Sequence, residues 1–266
     1  IESVYVGDPG NEPNGKRGAV PYGYYIGKHE VTNAEYTSFL NSEAVNDYYT
    51  LYHEGMTEDG GITRIGDRFD YSYKTIAGKE NDPVNYVNYF DAVRFANWLT
   101  TGSTEIGVYN DIKSNSFKRD LSAWGSGGIA LANREEWYKA AYYSGDPTGA
   151  DGDGYWLYPT QSNTISIDDA NYLNPEGGVK PVGSYVDKPS YYGTFDQAGN
   201  VNEWIEKKTF QLGGTFDDSN DTDLRNTGSH KDHPGAGDIN TGFRLVSLSP
   251  ITNGPKTNHA PSWQAD

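Results

Sequence analysis

The sequence predicts one loop-rich α+β domain, and three observations lead there. Three segments place apolar residues at helical spacing with recognisable starts, and short apolar–aromatic runs recur between Gly, Asn and Asp clusters. The composition is 35 % hydrophobic yet 14 % aromatic, which separates the chain from disordered sequences. Its 266 residues can bury a sizeable core without disulfide or metal staples.

The elements follow in chain order. The run at 22–26 reads as a strand, rich in Tyr and closed by Ile26. Thr32 then caps a helix, with Glu35 at the capping-box position and Tyr36, Phe39 and Leu40 on one face. A second helix is expected over 91–100, where Ala92, Phe95, Ala96 and Leu99 form a stripe beside Trp98 and Gly102 is the stop. Asn133 opens a third, with Glu136 three residues on, Trp137, Ala140 and Ala141 turned inward and Gly145 ending it. Runs at 210–216 and 242–248 supply further strands. No repeat and no boundary divides 1–246 into two cores. From 247 to 266, Pro250, Asn253, Gly254, Pro255 and Pro261 mark an extended tail or linker.

Charge and composition bound the partners. Twenty-one Lys and Arg against 37 Asp and Glu leave a net charge of −16, a sign that repels nucleic-acid phosphates and anionic lipid headgroups. No apolar stretch approaches the ~18 residues of a membrane span, so membrane insertion is not expected. The opening Ile1-Glu2-Ser3-Val4-Tyr5 reads as a processed product. Acidity, a single Met56 and abundant Tyr and Gly fit a protein secreted by a bacterium to its surface or extracellular matrix. The absence of Cys excludes disulfides, thiolate ligands and Cys nucleophiles from this chain.

Six strings occur in a telling order: Tyr25-Ile26-Gly27-Lys28-His29-Glu30-Val31-Thr32-Asn33-Ala34-Glu35-Tyr36, Pro83-Val84-Asn85-Tyr86-Val87-Asn88-Tyr89, Arg134-Glu135-Glu136-Trp137, Gly193-Thr194-Phe195-Asp196-Gln197-Ala198-Gly199-Asn200-Val201-Asn202-Glu203-Trp204, Leu212-Gly213-Gly214-Thr215-Phe216 and Gly242-Phe243-Arg244. Over roughly 20–246 the chain resembles the formylglycine-generating enzyme, or sulfatase-modifying factor, family. The resemblance implies that family's C-type-lectin-like fold, with little regular secondary structure and bound calcium. Oxidase members use two cysteines shortly before the Gly-Phe-Arg strand to bind copper(I) and activate oxygen on a substrate cysteine. The matching segment here runs from Arg225 to Lys231, with Asn226 and roughly Lys231 where the thiols would stand. Neither an amide nor an ammonium replaces a soft thiolate, so no copper is expected.

The same resemblance carries calcium ligands onto this sequence: Asp196 by side chain or carbonyl, the Gly199 and Val201 carbonyls, and the Glu203 carboxylate. Such hard oxygens on a tight Gly-containing loop suit calcium. The competing reading is a structural turn before a buried Trp204, with Glu203 merely paired. Asn202 stands where relatives usually carry Trp. A second calcium site would use Asn171 and the Tyr172 carbonyl with a later Asp that the Gly-rich stretch 177–183 does not identify. Asp217, Asp218, Asp221 and Asp223 read as a solvated turn, and Asp151-Gly152-Asp153-Gly154 lacks the terminal Glu of an EF-hand.

Recognition residues are the remaining candidates. His230 and His233, with Asp232 between them, belong either to a solvated loop or to a metal or proton-transfer site. Trp124, flanked by Gly125, Gly127 and Gly128, and the pair Tyr155-Trp156 are expected to be exposed for contact, whereas Trp137 and Trp204 are expected inside. The leading expectation is a secreted, catalytically inactive binding or structural module. Its variable rim at 226–240 presents Asn226, His230, Lys231 and His233, with Trp124 and Trp156, to an extracellular protein or glycan. The alternatives are a metal-dependent oxidase or hydrolase built on His230, His233 and Asp232 or Asp238, and a self-assembling subunit joined through its tail.

Overall fold

The computed structural model describes residues 1–114, 116–146, 152–174 and 176–255. Asp151 of the Gly loop and the tail from 256, with Pro261, lie outside the described residues. The elements are β1 (Ser3–Val6), β2 (Tyr24–Gly27), α1 (Asn33–Glu43), α2 (Gly55–Glu58), β3 (Ile62–Ile65), β4 (Ser72–Thr75), α3 (Tyr89–Thr101), α4 (Leu121–Gly125), β5 (Ile129–Leu131), α5 (Arg134–Tyr142), β6 (Asn202–Trp204), β7 (Phe210–Leu212), β8 (His230–Lys231), β9 (Thr241–Phe243) and β10 (Leu245–Ser247).

Local chemistry starts the three long helices. Thr32 and Glu35 close a capping box on α1, and Asn133 and Glu136 close another on α5. α3 begins two residues before the apolar stripe, because the Asn88 side chain accepts from the Phe90 and Asp91 amides. Gly102 stops it in the left-handed conformation at φ 79°. α5 ends at Tyr142 and not at Gly145, since Tyr143 turns extended and bridges to Tyr155.

Two four-stranded sheets and a hairpin complete the frame. The first runs β1-β2-β10-β5, the second β8-β7-β6-β9 with β6 and β9 parallel, and β3 pairs with β4 alone. An aromatic cluster of Tyr36, Phe39, Phe95, Trp98 and Phe243 joins α1, α3 and β9, its rings 5.3 to 6.4 Å apart where they touch. The tail begins later than expected: Ser247 belongs to β10 and is fully buried, and Ile251 is buried with its amide donating to Ser3 Oγ.

Trp124 corrects a second expectation. Asp120 caps α4, and Gly127 and Gly128 then fold the chain back so tightly that a Cβ on Gly128 would meet Val108 at 2.4 Å. The indole is thereby buried in the core beneath the Arg119 guanidinium, 4.1 Å from the ring centroid. Glycines beside a Trp permit close packing as readily as exposure.

Candidate functional site

The loop before β6 turns on three successive left-handed features, with φ of 60° at Asp196, 77° at Gly199 and 64° at Asn200. Only glycine fits at 199, where a Cβ would lie 2.1 Å from the Asn171 carbonyl oxygen. That approach draws the two expected calcium sites together. The Asn200 amide donates to the Asn171 carbonyl, and Asn171 Nδ2 donates to Asn200 Oδ1 at 3.1 Å. Asn171 Oδ1 is taken by Asn174 Nδ2.

Glu203 is spent elsewhere. Arg244, in the break between β9 and β10 and fully buried, sends Nε to Glu203 Oε2 at 2.6 Å and Nη2 to Oε1 at 2.7 Å. Trp137 Nε1 donates to the same Oε2 at 2.6 Å. The remaining Arg244 donors reach the Gly27, Lys28 and Phe195 carbonyls. Both oxygens of Glu203 are thus engaged by buried donors, as the reading of a paired carboxylate before a buried Trp204 expects. Its bidentate pair welds β6, α5, β2 and the β9–β10 break into one body.

Two further carboxyls lie beside this anchor. Glu30 is buried, Oε1 accepting from Asn200 Nδ2 at 3.3 Å while Oε2, 4.0 Å from Arg244 Nη2, has no hydrogen-bond partner. Burial, and next Asp196, push its carboxyl well above the ordinary range. Burial likewise raises Asp196 to about 6, against the Gly183 amide that donates to Oδ2. One guanidinium thus serves three carboxyls: it is paired with Glu203, lies 4.0 Å from Glu30 and attracts Asp196. Sequence reasoning missed Glu30 and Asn200 as members of this cluster. The available signal was a carboxylate, Glu30, sandwiched between an apolar strand and an apolar helix start.

The rim is held by Asn226. Its amide donates to the Leu157 carbonyl, its Nδ2 to the Trp156 carbonyl at 3.0 Å, and its own carbonyl accepts from Arg17. Asn226 and Trp156 are thus brought together through the backbone. Trp156 itself is half-buried, and Tyr155 is buried against Tyr138, so the expected exposed pair is largely an internal one. His230 and Lys231 form β8, exposed at the free edge of the second sheet and paired with Gln211 and Phe210. His233 lies beyond in an exposed turn, its Nδ1 accepting from the Gly235 amide. Trp124, in the core, is not part of this surface. Among the described residues no three His, Asp or Glu side chains converge as a metal-binding group.

Short sheets, capped helices and long loops locked on a buried Arg–Glu–Trp anchor form the α+β scaffold of the formylglycine-generating enzymes. The family model of the sulfatase-modifying factor enzyme 1-like domain matches residues 3–248, and the chain belongs to that family. Variable protein 1 of Treponema denticola has a similar structure at 19 % identity and TM-score 0.60, covering 93 % of this chain and 95 % of that one. CarF is similar at 22 % identity and TM-score 0.63, covering 95 % and 99 %. PvdO of Pseudomonas aeruginosa is similar at 18 % identity and TM-score 0.53, covering 93 % and 91 %. No curated protein sequence matches the chain. Among the described residues no helix is long and apolar enough to cross a membrane.

Proposed function

We propose that this chain is a secreted, non-catalytic member of its family that acts as an extracellular recognition module. One observation carries the reading: the positions matched to the copper-binding thiols hold Asn226, whose polar groups tie the rim to the domain, and, roughly, Lys231, an edge-strand residue whose Nζ lies over Phe210. An amide locked in hydrogen bonds and an ammonium supply no copper(I) ligand. The recognition surface is the rim at 226–240, where His230, Lys231 and His233 are exposed on a frame that does not depend on them. Variable protein 1 bears its variability in its name and has the same fold, which fits a scaffold that tolerates exchange of surface residues.

Calcium belongs to this proposal as a structural ion. Asp196 and Glu30, with the Gly199 and Val201 carbonyls, would hold it; Glu203 would orient Arg244 beside it. The ion would neutralise the carboxylates of the cluster. The test of function is adhesion of labelled protein to cells or matrix of the producing bacterium. Alanine at His230, Lys231 and His233 together should abolish adhesion while leaving the melting temperature unchanged; retained adhesion overturns the rim as the binding surface. Self-association through the tail is the second reading. An unchanged oligomeric mass after removal of residues 256–266 contradicts it.

A further inference from the structure

A cavity of about 420 Å³ opens between the 46–50 turn and the β3–β4 connection. Its walls include Asn46, Asp47, Tyr48, Arg64, Arg68 and Phe69. Two of these are large aromatic rings left in solvent, Tyr48 at 76 % and Phe69 at 71 % exposure. Exposed aromatics scattered singly are ordinary, but two on one cavity mark a contact surface.

The backbone holds them there at a cost. Three of the ten non-glycine residues with positive φ among the described residues line this cavity: Asp47 at 43°, Thr50 at 54° and Phe69 at 82°. For a bulky residue such as Phe the left-handed region costs on the order of 1–3 kcal/mol, and it concentrates at ligand sites. The floor is rigid. Arg64 is stacked between Tyr52 and Tyr71, 4.6 and 4.5 Å from their centroids, and is paired with Glu54 and Asp47.

Arg68 is different. Its guanidinium lies 5.1 Å from the Phe69 centroid and makes no ion pair among the described residues. A chain of net charge −16 therefore presents a cation without a carboxylate partner beside two solvent-facing rings. A second cavity of about 380 Å³ shares Thr50 as a wall and adds Lys113. Both volumes fall in the range of about 300–1,000 Å³ typical of small-molecule sites.

We infer that this cavity binds an acidic oligosaccharide, one uronate unit seated on Tyr48 and Phe69. The C–H faces of a pyranose stack on the rings. Its hydroxyls find short polar side chains in Asn46 and Thr50, and its carboxylate meets the fork of Arg68. The second cavity takes the next unit along the chain. This site is separate from the rim and stands whether or not the rim binds anything.

Calorimetric titration of the intact protein with a uronate hexasaccharide and with its neutral hexose counterpart tests it. Saturable binding of the uronate is expected, weakened about tenfold or more by Tyr48→Ala or Phe69→Ala. Arg68→Gln should bring the uronate down to the affinity of the neutral sugar, and Arg68→Lys should restore part of the difference. All three positions are on the surface, and unchanged melting confirms that the variants fold. Absence of saturable heat with the uronate, equal affinity for the neutral sugar, or undiminished binding by the aromatic variants overturns the inference.

Discussion

Arg244 shows at the residue scale what can and what cannot be foreseen from neighbours in sequence. Glu203 is identifiable as an important carboxylate, but its partner is 41 residues away and its third contact, Trp137, 66 residues away. Only the fold brings them together. Removing one partner leaves a buried charge unpaired, so Arg244→Ala and Glu203→Ala should each cost about 3–5 kcal/mol in denaturant unfolding. Asp91 provides a second residue-scale test. Burial first, and then Asp47, raise its carboxyl to about 8 against the pull of Arg94, and its Oδ1 has no hydrogen-bond partner. An acid whose pKa rises on folding binds its proton more tightly in the native state, so its contribution is intact below about 4 and falls as pH rises through about 8. Asp91→Asn should therefore gain stability, on the order of 5 kcal/mol, at pH 9 and little at pH 4. A gain that is equal at both pH values would show that the charge is not the cause.

At the scale of elements, legibility follows range of interaction. Helices α1 and α5 announce themselves because a cap and the glutamate that reaches back to it are three residues apart. Asn133→Ala should cost about 1 kcal/mol on thermal unfolding. Glu136→Gln should cost more, because its carboxylate also receives Arg119 Nη1 at 2.8 Å and Tyr22 Oη at 2.7 Å. The strands are harder to read. β5 and β9 are three residues each and take their identity from partners far along the chain. The same physics moved the tail boundary: 247–251 looks like linker by composition, yet β10 pairs with β2 and β5 at Ser247. Truncation after residue 246 should therefore lower stability by about 2 kcal/mol or more, whereas a true linker would be lost without effect.

For the whole molecule, six ordered motifs were enough to place the family and the fold, because those motifs hold the anchor and the caps. The candidate site was legible only in part. Gly199 and Asn171 do meet, but the carboxyl that neighbours Asp196 there is Glu30, from across the domain. Calcium bound there must stabilise the native state by mass action, by about 2.7 kcal/mol at a hundredfold excess over Kd, and a chelator should lower the melting temperature accordingly. Asp196→Asn should remove most of that response. The central claim is a family scaffold whose thiol chemistry has been replaced by a recognition surface, and elemental analysis of the protein after exposure to calcium, copper, iron and zinc tests it most directly. Calcium at up to one or two equivalents is expected, and none of the other three in stoichiometric amount. One equivalent of copper, iron or zinc retained through gel filtration, and lost on mutation of His230 and His233, would contradict it.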